Sequence, residues 1–398
     1  MTQYYKHAML MLSALLMALG SSCKDQAAEE PVTELVQYEE APSTLPIDRL
    51  KLPPGFKIEV YADSVDGARS MAMGDNGTLF VSTRNLKTVY AIQDLDQDYK
   101  ADHITVLDST LEVPNGVAFR NGSLYVAQVS RLLRYDSIET RLNNPPAPVV
   151  VYDDYPTELH HGWKYIAFGP DDKLYVPVGA PCNICDSAAV DARYASITRM
   201  DPDGSNREIV AHGVRNTVGF TWHPQTGELW FTDNGRDLMG DDIPPCELNR
   251  VSEVGQHFGY PFCHAGTIKD PEYGDQHSCD EFVPPVQALG AHVAPLGVKF
   301  SAGAMFPAEY RNDALIAEHG SWNRSRKSGY RISRVELDGN TSVGYNSFIE
   351  GWLDEESQEA FGRPVDLLFL EDGSLLISDD VADAIYRVTY TSPEGAGS

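Results

Sequence analysis

The sequence predicts an all-β fold, a six-bladed β-propeller. One strand design occurs six times, a second strand refrain follows each copy, and no long helical period interrupts them. The design is a turn rich in Asp, Asn or Gly followed by a short apolar-alternating strand: "GDNGTLFVSTR", "FRNGSLYVAQV", "FGPDDKLYVPVG", "HPQTGELWFTDN", "YRNDALIAEHG" and "LEDGSLLISDD". Its central leucines, Leu79, Leu124, Leu174, Leu229, Leu315 and Leu375, are spaced by 45, 50, 55, 86 and 60 residues. The refrains, from "TVYAIQD" to "AIYRVTY", make each copy a hairpin.

In chain order, Lys6 and the apolar run Ala8–Leu19 read as a signal peptide over residues 1–22, too short to span a bilayer as a mature helix. Cys23, after small residues, suits a lipidated N-terminus, which implies an extracytoplasmic lipoprotein at the periplasmic or cell surface. Residues 23–51 are acidic and proline-punctuated and read as a tether; residues 52–391 form the propeller and 392–398 a flexible tail. The strand "GFKIEVYAD" has no repeat before it, so it is expected to complete the last blade and close the ring, removing exposed sheet edges. The long fourth step carries Cys246, Cys263 and Cys279 and reads as an insertion over one face, where functional residues should gather.

The net charge of −27 repels phosphate backbones and anionic lipid, which excludes nucleic-acid binding and leaves the lipid anchor as the membrane contact. It favours bound Ca²⁺ and basic partner proteins. Cys182 and Cys185 can pair locally, and Cys263 with Cys279 across a short loop, leaving Cys246 free. No His follows Cys185, so the c-type haem motif is absent. In "DLDQDYKADH", Asp94, Asp96, Asp98 and Asp102 resemble a calcium loop, with Tyr99 where Gly is wanted and no closing Glu; a second Ca²⁺ site and a solvated turn both remain open.

His160 and His161 open the alternating stretch "HHGWKYIAFGPDDKLYV", which as a strand would point the two rings to opposite faces. Arg215 and Asn216 precede another strand, where a loop meets the central funnel, and a guanidinium there suits an anionic ligand or a developing oxyanion.

The order of the stretches "HHGWKYIAFGPDDKLYVPVGAPCNIC", "GVRNTVGFTWHPQTGELWFTDNGRD", "HFGYPFC", "HVAPLGVKF" and "AEHGSWNRS" resembles the pyrroloquinoline quinone (PQQ)-dependent sugar dehydrogenases, especially the sorbosone dehydrogenase group, over roughly Leu52 to Tyr390. The resemblance implies PQQ and Ca²⁺ as cofactors, an aldose or related polyhydroxy substrate, and a separate electron acceptor such as a cytochrome or quinone. By position it makes His161 the base, with His160 in the place of a neighbouring Asp. Arg215 and Asn216 would contact the quinone, the backbone carbonyls of Gly235 and Arg236 would hold Ca²⁺, and Arg363 would clasp a cofactor carboxylate. Asn115 falls near a polar contact, His292 stands nearest the missing cofactor-flanking aromatics, and Arg324 substitutes for an absent Lys. The second clasping arginine falls on Val365. The competing readings are a calcium-dependent lactone hydrolase, which needs carboxylate and Asn ligands at the ring's centre, and a non-catalytic binding propeller.

Overall fold

The computed structural model describes residues 44–301, 303 and 305–392. The expected signal peptide, Cys23, most of the tether and nearly all of the tail lie outside them. Among the described residues the strands form six sheets of four or five strands, plus a two-stranded ribbon, Cys263–His264 with Ile268–Lys269. These sheets are the six blades, and each begins at the axis with a short innermost strand.

The repeated strand is apolar on both sides because each blade is packed between two others. Leu79 and Val81 enter the core shared with the last blade, whereas Phe80 between them enters the core shared with the second. The same alternation sends Leu229 and Phe231 one way and Trp230 the other, as period-two geometry requires. All four residues of Leu79–Ser82 are therefore buried.

Closure takes the expected form. Phe56–Ala62 pairs antiparallel with Ala384–Tyr390 as the outer strand of the last blade. The folded body begins earlier than Leu52: Leu50 is buried, Leu45 and Ile47 pack on the same core, and Lys51 pairs with Glu350. Phe56 anchors the closing strand, its ring 4.9 Å from Phe306, 5.1 Å from Tyr310, 5.0 Å from Phe348 and 4.9 Å from Tyr390. Phe56→Ala is expected to cost about 3–5 kcal/mol, read as a lowered denaturant midpoint. A loss under about 1 kcal/mol would mean that this ring cluster does not hold the closure.

The insertion departs from expectation. It leaves blade four after Val251 and runs beside blade three, Gln256–His257 pairing parallel with Glu208–His212. It then returns to Gln287–Ala291. Its residues 252–286 pack behind the loops of Arg215 and Gly235 and contribute no lining to the central cavity, although Cys246 and His292, elsewhere in the same long step, do line it. Its role is support: the Tyr260 hydroxyl accepts the Cys185 N–H (3.1 Å), and Asp270 meets Arg236 (2.5 Å) and His264 (2.9 Å). Both expected disulfides, Cys182–Cys185 and Cys263–Cys279, are present, and Cys246 is free and buried.

The acidic loop joins Val89–Gln93 to His103–Asp108 at the face opposite the funnel mouth. Asp94, Asp96 and Asp102 bring carboxylate oxygens within 4.8 Å of one another, and Asp98 stands outside the group. Its carboxylate instead accepts the Lys100 N–H at 2.8 Å. Asp94 and Asp102 also accept backbone N–H groups, and Tyr99 adopts φ +68°, so the turn is satisfied by its own chain.

Candidate active site

Two kinds of loop build one central cavity of about 570 Å³. Some lead into an innermost strand and supply Arg69, Trp163, Arg215, Asn216, His292 and Arg363; others follow a blade's second strand and supply Arg84, Gly235, His319, Asn323 and Asp380. Val218 and Leu296 close the floor, packed with Val365 below them.

The two histidines lie in a turn rather than on a strand, because the strand begins only at Ala167. The expected alternation therefore fails. Both rings face the same cavity, with centroids 4.0 Å apart, His161 buried and His160 exposed. His161 takes φ +53°, and Gly179 is needed beside it, since a β-carbon there would come within 2.7 Å of the His161 Cβ. His161 Nδ1 lies 2.8 Å from the Ala180 carbonyl. A carbonyl can only accept, so Nδ1 carries the proton and Nε2 keeps its lone pair. Burial, then the Arg215 cation and His160, hold the imidazole well below its ordinary pKa, so it is neutral near pH 7.

Arg215 is fixed on every side. Its Nε donates to the Asn183 carbonyl (2.9 Å), Nη2 to Asn183 Oδ1 (2.8 Å) and Asp237 (3.4 Å), and Nη1 to the Asn234 carbonyl (3.1 Å). Asn183 sits inside the Cys182–Cys185 loop, so that disulfide helps to place the guanidinium. Buried Asp233 accepts the N–H groups of Arg215 (2.8 Å) and Asn216 (2.7 Å), which shapes their turn, and burial raises its pKa to about 6. Arg363 donates to the carbonyls of His319 (2.8 Å) and Gly320 (2.6 Å), and His292 Nε2 meets the Gly240 carbonyl at 2.8 Å.

His161, Arg215, Asn216, Gly235, His292 and Arg363 thus share one wall-lined space; three other expected residues do not. Asn115 lies one layer behind it, accepting from Arg69 Nε (3.0 Å) and donating to the Lys164 carbonyl (3.1 Å). Arg324 turns outward to the Asp241 carbonyl (2.5 Å) and to Asp242 (3.3 Å), because the neighbouring loop offers it acceptors. Arg236 is not among the lining residues and its side chain leaves for Asp270 and Glu272, which leaves its backbone carbonyl, next to Gly235, as the group expected to hold Ca²⁺.

Sequence reasoning missed Arg69, Arg84, Trp163, His319 and Asp380. Asp380 joins His319 Nε2 (2.7 Å) to Arg69 (2.8 Å), and despite burial these partners hold its carboxyl well below the usual range. Arg84 lies 4.5 Å over the Trp163 ring. A signal was available: Arg69 precedes an innermost strand as Arg215 does, and His319 and Asp380 each directly follow a repeated strand. Among the described residues, Trp163 Nε1 and Asn323 Oδ1 are buried without a hydrogen-bond partner, and both residues belong to the cavity wall. Facing the cavity, these two atoms are free to pair with a ligand or a water.

The chain is similar to known proteins in both sequence and fold. It is 33% identical over 360 residues to an uncharacterized protein of Borreliella burgdorferi, covering 86% of this chain and 91% of that one. It is 27% identical over 223 residues to a pyrroloquinoline quinone-dependent sugar dehydrogenase of Hypocrea jecorina, a match spanning 48% of this chain and half of that protein. The fold matches the holo form of the PQQ domain of pyranose dehydrogenase from Coprinopsis cinerea, with TM-score 0.73 and 17% identity over 85% of this chain and 97% of that domain. The TrAA12-like family model matches residues 50–391, nearly the whole described ring, and the chain belongs to that family.

Proposed function

We propose that the protein is a PQQ- and Ca²⁺-dependent oxidoreductase that oxidises an aldose or a related polyhydroxy compound. The observation that carries this reading is the Nδ1–H contact of His161 with the Ala180 carbonyl, which presents a neutral Nε2 to the same cavity as the Arg215 guanidinium.

The wall fits such a cofactor. Arg69, Arg84, Arg215 and Arg363 gather positive charge inside an acidic protein, where an anion with several carboxylates would be held. Trp163 Nε1 and Asn323 Oδ1 offer a free donor and a free acceptor. For Ca²⁺, the chain's contribution would be the carbonyls of Gly235 and Arg236. When bound, PQQ supplies an ortho-quinone that accepts a hydride, and Ca²⁺ polarises the carbonyl beside the accepting carbon. His161 Nε2 takes the proton of the substrate hydroxyl. Arg215, held rigidly and out of bulk water, stabilises the negative charge that develops opposite it. The apolar floor of Val218 and Leu296 would limit water at the bottom of the cavity.

The lactone-hydrolase reading loses support at that floor, which is apolar where it needs oxygen ligands. The purified protein supplied with PQQ and Ca²⁺ should gain quinone absorbance and reduce a small dye when aldoses are added. Hydrolysis of a lactone with no dye reduction would favour the alternative.

We further propose that Cys23 is acylated and that the protein works outside the cytoplasm. Among the described residues no helix is long and apolar enough to cross a membrane. Cys23→Ser should then move the protein to the soluble fraction, and unchanged sedimentation with membranes would refute the anchor.

A further inference from the structure

Lys164 is 2% exposed, with no anion beside it. Its Nζ donates to two backbone carbonyls, those of Val129 (2.5 Å) and Gly162 (2.9 Å), and meets no carboxylate among the described residues. The Tyr155 ring lies 5.2 Å away, itself held by a 3.0 Å bond between its hydroxyl and Thr198. Burial alone pushes the amine down to about 7. An apolar side chain would avoid that desolvation but leave two buried carbonyls without a donor.

The two carbonyls belong to different blades. Val129 lies in the turn after Ser123–Ala127 of blade two, whereas Gly162 ends the turn that carries His160 and His161 towards blade three. The two turns touch, since a β-carbon on Gly162 would come within 3.0 Å of Val129 Cγ1. Lys164 is also tied at its own backbone: its carbonyl accepts from Asn115 Nδ2 (3.1 Å), and Asn115 Oδ1 accepts from Arg69 Nε (3.0 Å). One residue thus connects the histidine turn to blade two and to the group of Arg69, Asp380 and His319. His160, His161 and Trp163, which line the cavity, all lie just before it in the chain, yet Lys164 itself stays behind the wall.

We propose that Lys164 is the positioning residue of the histidine turn: by bridging the Val129 and Gly162 carbonyls it holds the His161 ring where Nδ1 meets Ala180 and Nε2 faces the cavity. Charged or neutral, the amine has the two N–H groups that the bridge needs, so the bridge persists through neutral pH. The consequence for turnover rests on the oxidoreductase reading above, whereas the consequence for the ring does not.

The test uses the full-length chain without cofactor, isotope-labelled at the histidine nitrogens, with the His161 signals assigned by their loss in His161→Gln. Nitrogen NMR of wild type should show one tautomer at His161, protonated on Nδ1, and Lys164→Met should show both tautomers. Loaded with PQQ and Ca²⁺, the same variant should keep its affinity for PQQ while kcat falls by up to about 10²-fold, as expected when a reacting group is misplaced by a small distance. Lys164→Gln is shorter by a bond and serves only one of the carbonyls, so it should fall between wild type and Lys164→Met in both readouts. Should Lys164→Met not fold, Lys164→Gln decides by the same criteria. A single Nδ1-protonated tautomer with wild-type kcat in a folded variant would overturn the proposal. So would a lowered melting temperature or a loss of PQQ affinity with the tautomer unchanged, since Lys164 would then only support the fold. Absence of dye reduction by wild type would sink the oxidoreductase reading, a separate result, and the tautomer would still decide what Lys164 does to the ring.

Discussion

His161→Ala is expected to lower sugar turnover about 10²- to 10⁴-fold while PQQ and Ca²⁺ still bind. The imidazole is not among the groups that would neutralise the cofactor's charge, so its loss should show in kcat rather than in cofactor affinity. The pH profile offers a second readout. Burial and the Arg215 cation both disfavour the imidazolium, so the acid limb of the wild-type rate should lie below the ordinary His value of about 6.5. The rate should rise with pH through that depressed value and be flat near neutrality, and the limb should vanish in the variant. His160 shares the cavity, so His160→Ala is the necessary comparison. If it removes most of the rate while a folded, PQQ-loaded His161→Ala protein retains it, the base has been assigned to the wrong ring.

Arg215→Ala is expected to lose both affinity and rate. Removing one charge-stabilising donor costs about 10²- to 10³-fold in kcat, and the cofactor would also lose one of four guanidiniums. The side chain is buried, so its removal leaves the Asn183 carbonyl and the Asp237 carboxylate without a donor, while Asn183 Oδ1 keeps the Asp237 N–H. Arg215→Lys separates the two effects: it keeps the charge but cannot reproduce the fork that grips Asn183 at two atoms. A lysine variant with wild-type kcat and weak PQQ binding would mean that Arg215 only holds the cofactor. Normal binding and rate in both variants would remove it from the site.

The ring was legible because each repeat carries its own turn and its own doubly buried strand, and "GFKIEVYAD" had no partner except the last blade. The sharing of one cavity by His161, Arg215 and Arg363 was legible from motif order. The turn at His160 was not, because the alternation of "WKYIAF" extends smoothly backwards across Gly162, where a β-carbon would come within 2.1 Å of the Glu158 carbonyl. Nor could spacing show that Arg324 would find acceptors at Asp241 and Asp242, on the loop of the neighbouring blade. Arg69 and Asp380 stand 311 residues apart and meet only because the first and last blades do.

That meeting has a temporal side. Phe56–Ala62 is the first described strand to emerge during synthesis, yet it has no pairing partner until Ala384–Tyr390 appears. Arg69 follows the one and Asp380 precedes the other, and their ion pair spans the seam. A growing chain can thus assemble its middle blades in order but cannot complete the cavity wall until Ala384–Tyr390 has been made. The same adjacency of the two ends, with Thr391 N–H bonded to the Gly55 carbonyl at 2.9 Å, makes the ring suited to circular permutation. Joining the ends and reopening the chain at the acidic turn after Gln93 would make Asp380 and Arg69 near neighbours in chain order and shift the seam to the pairing of Val89–Gln93 with His103–Asp108.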